Sequence, residues 1–149
     1  KGYWNKPDAT KEAIQDEWFF SGDAGYFDEE GYLYIHDRVK DMIVSGGENV
    51  YPAEVENALM SNPEIIDAAV IGIPDEKWGE SVKGFVVLKD GAELSEVDII
   101  SYVKSQIAGY KCPKSINFID MLPRNPSGKV LRRELRAPFW EGVERNVGG

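Results

Sequence analysis

Several things are scarce in this sequence, and each scarcity removes a class of function. There is one cysteine, Cys112. No internal disulfide is available, which fits a reducing cytoplasm, and a lone cysteine reads first as a packing residue. There is one histidine, His36, so a Ser-His-Asp triad could be built only around it, and no Cys/His cluster provides a metal site. No apolar run is long enough to span a bilayer, and no basic-then-apolar leader opens the chain. Basic residues are in deficit, 17 against 26 acidic, for a net charge of -9. A nucleic-acid surface needs a concentrated basic patch, so no nucleic-acid partner is expected. A small anion held by a few local cations stays open. The chain begins at Lys1-Gly2-Tyr3-Trp4 without Met, as a piece of a longer protein would.

What is present is enough apolar content, 42% of 149 residues, for one ordinary domain and a small extra piece. The first stretch is rich in aromatics: Tyr3, Trp4, Trp18, Phe19, Phe20. Tyr26-Phe27 and Tyr32-Leu33-Tyr34-Ile35 flank the acidic turn Asp28-Glu29-Glu30-Gly31, which predicts a hairpin. Charged residues take over at His36 to Asp41, and a domain boundary is expected there, with residues 1–39 on one side and 40–149 on the other.

Beyond the boundary, Pro52 suits a helix's first turn, and Val55, Ala58 and Leu59 recur at helical spacing until Asn62-Pro63 ends the helix. Residues 68–73 and 81–88 read as buried strands separated by a loop. Ser95 with Asp98 forms a capping box for a second helix, which Gly109 is expected to end. Ser115 to Ile119 reads as a third strand, and Val130 to about Arg136 as a short basic helix. The expected class is α+β: a three-stranded sheet packed by helices, preceded by a hairpin-containing tail.

Three loops could carry chemistry. Pro123 to Lys129 is superficially like a phosphate-binding loop, but Pro123 stands where a Walker glycine is needed and Val130 where a magnesium-holding Ser/Thr would be. Lys129 is then open between a solvated surface lysine and a preorganised cation, backed by Arg132 and Arg133, that meets developing negative charge. In Ser45-Gly46-Gly47, paired glycines either make a plain turn or let backbone approach a ligand. In Ser21-Gly22-Asp23, the carboxylate either forms a turn or accepts from a diol. Trp78, between Lys77 and Gly79, is open between stacking on a ligand and covering a sheet edge.

Four segments change this weighting together: Trp18 to Asp23, Asp37-Arg38-Val39-Lys40-Asp41-Met42-Ile43, Ser45 to Pro52, and Pro123 to Leu131. In this order and at this spacing the chain resembles the adenylate-forming superfamily of acyl-CoA synthetases, peptide-synthetase adenylation domains and beetle luciferases. The resemblance covers nearly the whole chain. Gly46 to Pro52 looks most like the CoA-ligase branch, in particular a fatty acid-CoA ligase.

The resemblance implies that residues 1–39 end a large N-terminal domain and 40–149 form a mobile C-terminal domain. The ATP-phosphate loop and the acyl pocket would lie upstream, so the piece alone would be inactive. Asp23 would bind the ribose hydroxyls of ATP, Arg38 would assist, and Lys40 would be the hinge. Lys129 would bridge the acid's carboxylate and the α-phosphate as the acyl-adenylate forms. Gly46, Gly47, Glu48 and Trp78 would line the pantetheine tunnel, with Lys111 and Lys114 holding the CoA nucleotide, since Cys112 stands where an Arg is expected. ATP with Mg2+, the magnesium held mainly by the missing domain, CoA, a carboxylic acid and the N-terminal domain are the implied partners. A cytoplasmic location is expected, with peripheral membrane association of the longer protein left open for a lipid substrate. The alternatives are a carrier-protein-loading adenylation domain and a non-catalytic binding module. Val147-Gly148-Gly149 shows no appended carrier.

Overall fold

The computed structural model describes residues 1–143; Val147-Gly148-Gly149 lies outside the described residues. The chain divides into two compact units, Lys1–Val39 and Lys40–Gly149. The first holds helix α1 (Pro7–Ala13), a two-stranded pair β1 (Ile14–Gln15) and β2 (Trp18–Phe19), and the hairpin β3 (Asp23–Phe27) and β4 (Leu33–Arg38). The acidic turn makes this hairpin as its residue types suggest. Asp28 Oδ1 accepts from the N–H groups of Glu30 (3.0 Å) and Tyr32 (2.8 Å), and Gly31 supplies the positive φ of 86°. Tyr26 and Tyr34 stack across the strands, with centroids 5.3 Å apart.

The second unit runs β5 (Ile43–Ser45), β6 (Glu48–Val50), α2 (Pro52–Met60), β7 (Ile65–Asp75), β8 (Gly79–Leu88), α3 (Glu96–Lys104), β9 (Ser115–Phe118) and α4 (Arg132–Arg136). Its mixed sheet has five strands, in the order β6-β5-β8-β7 with β9 parallel to β8. The two strands added to the expected three are β5 and β6. They are three residues each, too short for alternation to reveal, and they are joined by the Gly46-Gly47 turn in the register Ser45↔Glu48. Both glycines have positive φ, 62° and 86°, as a primed two-residue hairpin turn requires.

Both faces of the sheet are covered, which explains the nearly continuous apolar run of β7 and β8. Val82 and Val86 pack with Val55, Leu59, Ile99 and Val103 of α2 and α3. On the opposite face Phe85 and Val87 pack with Leu122, Val130, Leu135 and Phe139. The capping box at Ser95 forms: Asp98 N–H donates to Ser95 Oγ at 3.2 Å, and Ser95 N–H donates to Asp98 Oδ2 at 3.1 Å. The helix it opens, α3, ends at Lys104 rather than at Gly109. Ser105 Oγ donates to the Tyr102 carbonyl at 2.7 Å, so a side chain takes up a backbone acceptor in the last turn, and Gly109 instead opens a 3-10 turn.

Candidate functional site

Lys129 stands on a loop that is ordered by its own polar groups. Asn125 Oδ1 accepts from Ser127 N–H (3.1 Å), Ser127 Oγ–H (2.8 Å) and Lys129 N–H (2.9 Å). Asn125 N–H returns a bond to the Lys129 carbonyl at 2.9 Å, and Arg124 bridges Val130 across the loop. Arg124 then forks: Nη1 donates to the Gly128 carbonyl and Nη2 to Asp67 Oδ2 on β7, both at 2.6 Å. The backbone at Lys129 is thus tied to the sheet while its side chain is exposed.

A second cluster forms beside the Gly46-Gly47 turn. Gly46 N–H donates to the Trp78 carbonyl at 2.8 Å, and the Trp78 indole lies directly over Gly46. Two ammonium groups face the same ring, Lys77 at 4.6 Å and Lys114 at 4.9 Å from the centroid. Asp75 Oδ1 holds the loop by accepting from the N–H groups of Lys77 and Trp78, both at 3.0 Å. The bond from Trp78 N–H, aided by that from Lys77 and the charge of Lys114, keeps the Asp75 carboxyl below its usual range. Glu48 is exposed at the start of β6, next to the glycines.

Lys111 does not join this ring. Its ammonium contacts both carboxylate oxygens of Glu54 at 2.7 Å, a bond that raises its pKa. The two cations at the Trp78 ring are Lys77 and Lys114. Adjacency in sequence was the available signal for Lys77; Asn125, two residues before Ser127, carried the spacing of an Asx turn.

In the first unit, Asp23 and Arg38 are register partners on β3 and β4, and Arg38 Nε lies 2.8 Å from Asp23 Oδ1. Arg38 Nη1 also donates to the Ser21 carbonyl at 3.2 Å. Among the described residues, Asp23 Oδ2 takes no part in this ion pair. Lys40 is exposed in a 3-10 turn, Val39–Asp41. Directly after it, Asp41 is gripped by Arg136 (2.9 Å) and approached by Arg132 (3.7 Å). Arg132 also pairs with Glu56 at 2.6 Å, so the chain leaving Lys40 is fastened to α2 and α4 at once.

Among the described residues, no three or more His, Cys, Asp or Glu side chains gather as metal ligands, and no helix is long and apolar enough to cross a membrane.

Residues 54–129 match the family profile of the AMP-binding enzyme C-terminal domain. The chain is 52% identical over 145 residues to a fatty acid–[acyl-carrier-protein] ligase of Streptomyces coeruleorubidus, covering 97% of this chain and 28% of that protein. It is 51% identical over 145 residues to a long-chain-fatty-acid–CoA ligase of Mycobacterium tuberculosis, covering 97% and 29%. The o-succinylbenzoate CoA synthetase of Bacillus subtilis, solved with its acyl-adenylate intermediate, superposes with a TM-score of 0.85 at 44% identity, over 91% of this chain and 28% of that one. The chain therefore spans between a quarter and a third of the length of these relatives.

Proposed function

This chain belongs to the AMP-binding enzyme C-terminal domain family, and we propose that it is the mobile lysine-bearing part of an ATP-dependent, AMP-forming fatty acid–CoA ligase. Residues 1–39 then close the large N-terminal domain, and the part from Lys40 onward moves against it about that residue.

One observation carries the two-step reading. Asp67, which anchors the Lys129 loop, and Asp75, which anchors Trp78, stand at opposite ends of β7. Eight residues at ~3.3 Å each separate them by about 26 Å. A rigid strand cannot present both ends to one reacting carbon at the same time. This separation supports a domain that turns between two half-reactions at one acyl centre.

In the first step Lys129 lies between the acid's carboxylate and the α-phosphate of ATP. It reduces the repulsion of two anions as the carboxylate oxygen bonds to phosphorus and pyrophosphate leaves. Asp23 Oδ2 accepts from the ribose hydroxyls while Arg38 holds Oδ1. The magnesium that accompanies ATP would be held mainly by the N-terminal domain. In the second step the Gly46-Gly47 turn and Trp78 line the route by which the CoA thiol reaches the acyl carbon and AMP departs. Lys77 and Lys114, two cations at one aromatic ring, suit a phosphorylated nucleotide, which favours CoA over a carrier-protein arm.

The test is Lys129→Ala in the complete enzyme, with each half-reaction assayed separately. Pyrophosphate release is expected to fall on the order of a hundred- to thousandfold, while thioester formation from supplied acyl-adenylate persists. Survival of both would return the chain to the binding-module reading.

A further inference from the structure

We infer that Asn125, together with the Arg124–Asp67 ion pair, is the positioning device of Lys129. The inference rests on Lys129 being the adenylation lysine. Four facts carry it. A single side-chain oxygen, Asn125 Oδ1, collects three donors from the tip of the loop, the Lys129 N–H among them. The backbone of the same residue closes on Lys129 from the other side, through Asn125 N–H to the Lys129 carbonyl and Gly128 N–H to the Asn125 carbonyl, both at 2.9 Å. The next charge along, Arg124, spends one nitrogen on the loop at Gly128 and the other on Asp67 of the sheet. The Lys129 side chain has no hydrogen bond or ion pair among the described residues, so nothing but the backbone sets where its ammonium can reach.

A catalytic cation helps only where negative charge builds, and a displacement of about 1 Å can cost on the order of a hundredfold. A seven-residue loop carrying two prolines and one glycine is stiff, but stiffness alone does not choose where it points. Asn125 sets its shape, and the Arg124–Asp67 pair sets its place on β7. The ammonium is thereby left mobile on a fixed root.

Asn125→Ala in the complete enzyme tests this, read against Lys129→Ala and the double variant. In the otherwise wild-type enzyme, Asn125→Ala should lower kcat of pyrophosphate release by roughly tenfold to a hundredfold, with KM for ATP and acid little changed. Thioester formation from supplied acyl-adenylate should stay within about threefold, which also certifies the fold. On the Lys129→Ala background the same change should cost nothing more, because a residue that acts through Lys129 has nothing left to position. Loss of both half-reactions, or an equal further loss in the double variant, would make Asn125 merely structural and overturn the inference. If Lys129→Ala itself leaves pyrophosphate release intact, the underlying reading fails first, and the single-variant data show which of the two was wrong.

Discussion

Gly46 and Trp78 are built against each other: a Cβ on Gly46 would stand 2.6 Å from Trp78 Cε3, and the Gly46 N–H donates to the Trp78 carbonyl at 2.8 Å. The glycine thus has two reasons to be glycine, its positive φ of 62° and the indole over it. Gly46→Ala is expected to destabilise the chain by ~1–3 kcal/mol in urea denaturation, from left-handed backbone strain plus displacement of the ring. In the complete enzyme it should slow thioester formation and spare pyrophosphate release. Unchanged stability would refute both the backbone strain at this position and the packing of the Trp78 ring over it.

Glu56 joins three elements. Its Oε1 accepts from Val70 N–H at 2.8 Å on the outer edge of β7, and its carboxylate takes a forked bond from Arg132 at 2.6 and 2.8 Å. Removing it strands a strand N–H and a largely buried guanidinium that also approaches Asp41. Glu56→Ala should therefore cost ~2–4 kcal/mol of stability. A double-mutant cycle with Arg132→Ala should return a coupling of ~1–3 kcal/mol, and additive losses would show that the pair is not coupled.

Lys83 is 7% exposed at mid-strand on β8, hydrogen-bonded to Ser115 Oγ at 3.0 Å and facing the Phe139 ring at 5.3 Å. Burial lowers its pKa below the ordinary 10.5, opposed by the charge of Glu96. Between its folded pKa and that of the unfolded chain, the unfolded chain binds more protons, so this group's contribution to stability rises with pH through that window. Below the window the folded protein carries the full cost of the buried charge. Lys83→Met should accordingly raise the unfolding midpoint at pH 7, and its advantage should shrink as pH approaches 10.5. An advantage that grows with pH would refute the assignment.

Where neighbours in sequence are neighbours in space, the chain's structure was legible. Ser95 and Asp98 cap α3 because three residues return a side chain to the helix start, and Pro52 opens α2 because a first-turn residue needs no N–H partner. The acidic turn announced the β3–β4 hairpin, but the ion pair between Asp23 and Arg38 appears only once that hairpin's register sets them opposite each other. The β5–β6 hairpin was not legible, since three-residue strands carry no usable period. Nor was the end of α3 at Lys104, which Ser105 sets by taking a backbone acceptor.

By itself, then, the sequence determined the β3–β4 hairpin and the longer elements after it, the place where composition changes at residues 36–41, and which residue types could meet an anion. Only the tertiary structure decided which cations are available. Lys111 and Arg124 are both surface-type residues in basic stretches, yet each is committed to a carboxylate 57 positions away, Glu54 and Asp67. Lys114 was brought instead to the indole of Trp78, where Lys77 already stands as the neighbour in sequence. The physical reason is the sheet: antiparallel β7 and β8, with β9 alongside, carry distant segments into contact, and a charge's function depends on what that contact leaves for it to bind.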